Sequence, residues 1–121
     1  MSPWEEERTL EPRLAAWLER VLEDESWRSG LTDMEAERLL GWAMARLGPA
    51  PERTGERVRL AMRRIGRAAR APAAEAGELL SPWGLTPPPE WEAWTPGQRL
   101  EWTLEALRDW SPDPPEGDPD G

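Results

Sequence analysis

Apolar residues recur along this chain at spacings of three and four, which is the period of one face of a helix. Leu14, Trp17, Leu18, Val21 and Leu22 set out one such stripe and predict a helix over residues 12–28. Glu19, Arg20, Glu23 and Asp24 lie on its outer face, and Ser29-Gly30 stops it. Thr32-Asp33-Met34-Glu35 has the form of a capping box, and it opens a helix over 32–47 whose stripe is Ala36, Leu39, Leu40, Ala43, Met44 and Leu47. Trp42 lies about 130° from the centre of that stripe at 100° per residue, on the flank of the core or exposed. A third helix, over 51–71, carries Val58, Ala61, Met62, Ile65 and Ala69 on one side and seven arginines on the other.

Beyond Pro72 the pattern weakens. Residues 73–80 add two short turns anchored by Leu79 and Leu80. Residues 81–95 then hold Pro82, Pro87, Pro88 and Pro89 among Trp83, Trp91 and Trp94, a composition that resists helix. Three indoles are costly to leave in water, so this segment is expected to wrap the bundle as a strap. Thr95-Pro96-Gly97-Gln98 is a further capping box, and it opens a helix over 96–110 with Leu100, Leu104 and Leu107 inward and Trp110 continuing the spacing. Ser2-Pro3-Trp4-Glu5 predicts a short helical turn at the start of the chain. Residues 111–121 contain four prolines, four acids and nothing to bury, which predicts a disordered acidic tail. The fold class expected is therefore all-α. One domain over 1–110 forms a bundle of about four helices, the first three running up-down-up, with a Pro/Trp-rich crossover.

Composition changes that picture in two ways. Only eighteen of the 121 residues are Leu, Ile or Val, Phe is absent, and the net charge is −9, values typical of disordered chains. Nine Trp argue the other way, because each buries far more apolar surface than a Leu, and indoles are expected to replace Phe and Tyr in the core. The absence of Lys, Tyr, Phe and Asn, with a single Ile, is what a G/C-rich genome produces, and the shortage of amide side chains suits a heat-adapted source.

Function is narrowed mostly by exclusion. Without His, Cys, Lys or Tyr the chain lacks the usual general base, activated nucleophile, Schiff-base amine and soft-metal ligand. What remains is carboxylate chemistry with magnesium or calcium. The spacings that would serve it, Glu75 with Glu78 and Glu101 with Glu105 and Asp109, are equally those of solvated helix faces. No glycine-rich phosphate loop or nucleophile elbow occurs. The expectation is a protein that is not an enzyme, with no cofactor, no metal and no small-molecule substrate. No run of about twenty apolar residues exists to span a membrane, and a cytoplasmic location is expected.

Charge segregation is the most informative feature. Residues 53–70 carry seven Arg against one Glu, while the rest of the chain is strongly acidic. Trp and Arg are the residues most enriched at binding hot spots. The partner-binding candidates are therefore Arg57, Arg59, Leu60, Arg63, Arg64, Arg67 and Arg70, with Trp42 and Trp102 as indoles off the main stripes. These residues point to an interaction module that binds a protein partner or a second copy of itself. A helical nucleic-acid-binding regulator is the alternative, since arginines on one helical face also suit phosphates. Acidic composition opposes that alternative, and the helix has no Lys, Asn or Gln for reading bases. Pairing of the same arginines with Glu5 to Glu7 or Glu19 to Asp24 would leave no free cationic surface at all. The acidic tail would either compete for the basic helix or serve only solubility.

Overall fold

The computed structural model describes residues 12–47 and 51–112, apart from the side chains of Arg13 and Glu52. Over these residues the chain is all-α. The helices are α1 (Pro12–Glu23), α2 (Asp33–Leu47), α3 (Pro51–Ala69), α4 (Ala73–Leu80) and α5 (Pro96–Ala106), with 3-10 turns at Ser81–Trp83 and Pro89–Ala93. The turn expected at residues 2–5 and the tail expected from 113 onward lie outside the described residues.

α3 is the axle of the fold, packing against α1, α2, α4 and α5. A helix can take four neighbours only if several of its positions are small. Gly55, Ala61, Gly66, Ala68 and Ala69 supply them, and all are buried. Two of these are notches that need glycine. A Cβ on Gly55 would collide with the indole of Trp17, and one on Gly66 would collide with the backbone carbonyl of Trp27. Each glycine costs the helix about 1 kcal/mol relative to alanine, offset here by the close approach it permits.

The same contacts fix the directions. Trp17 meets Gly55 and Trp27 meets Gly66, so α1 and α3 run the same way. Glu35 sits at Gly97, Arg38 pairs with Glu101, and Trp42 bonds to Leu107, so α2 and α5 run together in the opposite sense. The four long helices therefore alternate up-down-up-down. α4 is a fifth helix where the sequence predicts only short turns; it folds back along α3 once Pro72 has broken the chain, and Arg64 Nη1 donates to the Leu79 carbonyl at 2.9 Å.

Indoles do build the core. Four of them bury their rings and each donates Nε1–H to a backbone carbonyl: Trp17 to Gly55, Trp27 to Val21, Trp42 to Leu107 and Trp91 to Ala71. The pairing removes the main penalty of burying a polar N–H. It also corrects three boundaries. α1 ends at Glu23 rather than near 28, because the Asp24 carboxylate accepts from Ser26 and Trp27 folds back to the last carbonyls of the helix. α3 ends at Ala69 rather than 71, where Ala71 instead offers its carbonyl to Trp91. α5 ends at Ala106 rather than 110, and the turn beyond it carries Trp110 across to stack on Trp42 at 5.6 Å and to meet the edge of Trp83 at 6.1 Å.

The stripe expected on α2 is rotated. Leu40 is half-buried and Met44 is exposed, whereas Trp42 is enclosed. The helix lies between α3 and α5 and so has two packing faces instead of one. The strap is ordered, with Trp91 fully buried and Glu92 accepting the Ala73 N–H at 2.7 Å.

Candidate functional site: the basic ridge of α3

Because α3 is covered on most of its circumference, its fully exposed arginines are confined to one line. Arg53, Arg57, Leu60, Arg64 and Arg67 succeed one another at alternating steps of four and three, the spacing of adjacent residues on a single helical face. All five are exposed, and Leu60 keeps 47 % of its surface in solvent in the middle of four guanidinium groups. Core packing thus creates the ridge: small residues draw the neighbours in and leave this charged line outside.

The side of the ridge facing α1 is electrically satisfied. The Asp24 carboxylate accepts from the Ser26 backbone N–H at 2.9 Å and hydroxyl at 2.6 Å, and lies 3.5 Å from both Arg59 and Arg63. Arg59 also reaches Glu56 at 2.8 Å, and Arg63 Nε donates to the Ser26 hydroxyl at 2.8 Å. Both acids titrate below their ordinary range. For Asp24 the Ser26 hydrogen bonds are the leading cause, with Arg63 and Arg59 adding to them. For Glu56 the cause is first the bond from Arg59. The Arg59 guanidinium holds its proton correspondingly more firmly, because of Glu56 first and then Asp24.

For Arg57, Arg64 and Arg70 the acceptors are neutral. Arg57 Nη1 donates to the Pro112 carbonyl at 2.7 Å, Arg64 to Leu79, and Arg70 Nε to Gly66 at 3.2 Å while its stem crosses Gly30. A carbonyl orients a guanidinium without cancelling its charge. Arg67 is exposed and has no hydrogen bond or ion pair among the described residues. Of the seven candidates on α3 and the turn that ends it, then, Arg59 and Arg63 are paired with acids, Arg57, Arg64, Arg67 and Arg70 keep their charge, and Leu60 stands exposed among them.

The two indoles do not belong to this surface. Trp42 is 6 % exposed, stacked on Trp110 and bonded to Leu107, so it is withdrawn from the set of partner-facing residues. Its flank position is a second core face. Trp102 is half-buried edge-on to Trp91 at 5.8 Å, and it lines a separate groove of about 690 Å³ with Met34, Trp94 and Leu100. None of the residues lining that groove comes from α3, and the Arg38–Glu101 ion pair puts both signs of charge on it.

Sequence alone does not single out Asp24 and Ser26, although Asp24 ends the acidic stretch that could serve as an internal partner. Nothing in the sequence marks the Pro112 carbonyl. Among the described residues no group of three or more acidic side chains is placed to hold a metal ion. Of the two spacings suited to carboxylate chemistry, the second is drawn apart, since Glu101 faces Arg38 and Glu105 faces Arg108. Among the same residues no helix is long and apolar enough to cross a membrane. No protein-family model matches the chain, and neither a curated protein nor a solved structure shows a significant match.

Proposed function

We propose that this chain is a non-enzymatic interaction module whose α3 ridge docks an acidic segment of a protein partner. One observation carries the reading: four guanidinium groups, those of Arg57, Arg64 and Arg67 on a rigid helix and of Arg70 in the turn that ends it, keep uncompensated charge around an exposed leucine. The helix is held by four neighbours, so no ordering of the scaffold opposes binding. Arginine forks suit carboxylates in pairs, and Leu60 offers a central apolar contact of the kind that docking surfaces use. A protein partner is favoured over nucleic acid because the ridge is a single short line in a molecule of net charge −9, which repels a long polyanion from a distance.

The test compares two probes on the intact chain by fluorescence anisotropy: a labelled twelve-residue Glu-rich peptide with one central Leu, and a single-stranded oligonucleotide of equal length. The peptide is expected to bind, and the double substitution Arg64→Glu with Arg67→Glu is expected to abolish binding while leaving the circular dichroism spectrum unchanged. Retention of peptide binding by that variant would remove the ridge from the proposal. Tighter binding of the oligonucleotide, falling steeply between about 50 and 200 mM salt, would establish the nucleic-acid reading instead.

A further inference from the structure

We infer that the outward face of α2 is a self-association surface, on which a second copy of this chain docks antiparallel about a twofold axis between Glu37 and Arg38. No residue of the α3 ridge takes part, so the inference stands apart from the docking role proposed for that ridge. α2 packs against α3 and α5. Its residues Met34, Glu37, Arg38, Gly41, Met44 and Ala45 are left exposed, all within about 120° of its circumference at 100° per residue.

Apolar surface is concentrated on this side of the molecule. Among the described residues four large apolar side chains are exposed: Leu60 on the α3 ridge, Met34 and Met44 on this face, and Leu22 across a small groove from Glu37. Met34 keeps 82 % of its surface in solvent. The wider groove on the α5 side adds the half-buried Trp94 and Trp102. One exposed apolar residue is ordinary, whereas a cluster on one side marks a contact surface. Gly41 adds a second sign. Gly55 and Gly66 are notches filled by α1, but a Cβ on Gly41 would meet nothing within 4 Å. Glycine inside a helix weakens it, and no close approach among the described residues offsets that cost at Gly41.

Charge and register decide what fills the notch. The Glu37 carboxylate has no hydrogen bond or ion pair among the described residues. Arg38 commits only its Nε, to Glu101 at 2.8 Å, which leaves its two Nη groups without a partner among the same residues. An acid and a base side by side on one face are complementary to themselves. Rotated by 180° about an axis between them, each Glu37 meets the Arg38 of the other copy. The same rotation lays Met34, about 10.5 Å along the helix from Gly41, onto the Gly41 notch of the second copy, and the reverse. Both matches follow from one axis. A partner of unrelated sequence would have to reproduce the knob, the notch and both charges, and a second copy carries all of them. One helix face with its groove walls is smaller than the roughly 800 Å² per partner of a standard interface, so the dimer is expected to be weak and concentration-dependent.

The test measures mass by sedimentation equilibrium on the full chain, from about 5 µM to about 1 mM in about 150 mM salt. That salt screens the long-range repulsion between copies of net charge −9 and leaves close pairs largely intact. The mass is expected to climb from 13.8 kDa toward twice that value. Gly41→Gln is expected to raise the melting temperature, as a better helix former, and to weaken association by about tenfold or more by filling the notch. Glu37→Arg and Arg38→Glu are each expected to stay monomeric with an unchanged circular dichroism spectrum, because each sets like charges together across the axis. An equimolar mixture of the two is expected to dimerise, since the charges then match again. A wild type that stays at 13.8 kDa throughout would overturn the inference and leave the face to a partner of another sequence. Dimers that persist unchanged in Gly41→Gln would place the contact elsewhere and overturn it as well; loss of the dimer in Arg64→Glu with Arg67→Glu would place it on the α3 ridge. A mixture that stays monomeric would overturn the twofold axis.

Discussion

The junction of the strap with α5 and the ridge of α3 both depend on arginine, and they use it in opposite ways. At the junction, the Arg99 side chain is 12 % exposed; its Nε donates to the Trp91 carbonyl at 2.8 Å, its Nη1 reaches the carbonyls of Ala69 and Ala71 at 3.4 Å, and its Nη2 lies 4.0 Å from Glu92. Its guanidinium also lies 5.4 Å from the centre of the Trp91 ring. On the ridge, Arg57 and Arg64 each meet one carbonyl, and Arg67 meets nothing among the described residues. The difference stems from position along α3. Its C-terminal end presents carbonyls with no partner in the helix and the negative end of the helix dipole, and the enclosed Arg99 is absorbed there. Its middle has every backbone group paired internally, so an arginine there finds no carbonyl of α3 to satisfy, and its charge is left for something else wherever no acid such as Asp24 reaches it.

The largest effect should come from breaking the junction. Arg99→Met leaves the Ala69 carbonyl without its donor and takes one of two donors from each of the Trp91 and Ala71 carbonyls, all in a mostly covered site, and is expected to cost about 3 kcal/mol in urea denaturation. Arg99→Lys should recover less than half of that, because an ammonium group cannot fork between the strap and the helix end. Wild-type stability in the Met variant would mean that water caps α3 equally well. Next in size is Gly66→Ala, which enters the same helix from its other side. Alanine would gain about 1 kcal/mol of helix propensity, yet its methyl group would have to displace the Trp27 backbone, and a net loss of about 2 kcal/mol is expected. A neutral or stabilised variant would show that α1 can shift away from the notch.

Much of this architecture is legible in the sequence because it rests on local rules. Capping boxes at Thr32 and Thr95 form with the expected reciprocal bonds, and they place the starts of α2 and α5 within a residue. Helix ends are less legible, since α1, α3 and α5 stop where indole N–H groups and turns recruit distant or backward carbonyls, and no spacing encodes that. Trp42 shows the limit of a one-stripe reading: a helix with neighbours on two sides buries two faces, and only the fold says so. The charged face of α3 is plain from composition. Which of its arginines keep their charge is not, because that depends on Asp24 arriving from α1 and Pro112 from beyond α5.

A smaller effect tests the satisfied side of the ridge. The Asp24 pKa is lowered on folding, so its contacts stabilise the fold fully above the unfolded value of about 3.8 and are lost as pH falls through the lower folded value. Melting temperatures of the wild type and Asp24→Asn should therefore differ at pH 6 and converge in the acid range below that value. A constant gap down to pH 2.5 would show that packing around Asp24, rather than its charge, is what matters. The same substitution leaves Arg59 and Arg63 without their shared carboxylate, so at neutral pH it should tighten peptide binding at the ridge even as it weakens the fold.

The smallest stability effect is expected at Arg67, and it is the sharpest comparison with Arg99. Arg67→Met removes an exposed cation that has no partner among the described residues, so unfolding free energy should stay within about 0.5 kcal/mol of wild type. Affinity for the acidic peptide should still fall severalfold, with a shallower dependence on salt, because one of the few charges available to a ligand is gone. At Arg99 the same chemical change would cost stability. A stability loss at Arg67 approaching that at Arg99 would mean that its charge is already committed within the molecule, and the distinction between an arginine that closes a helix and one that is offered outward would no longer hold.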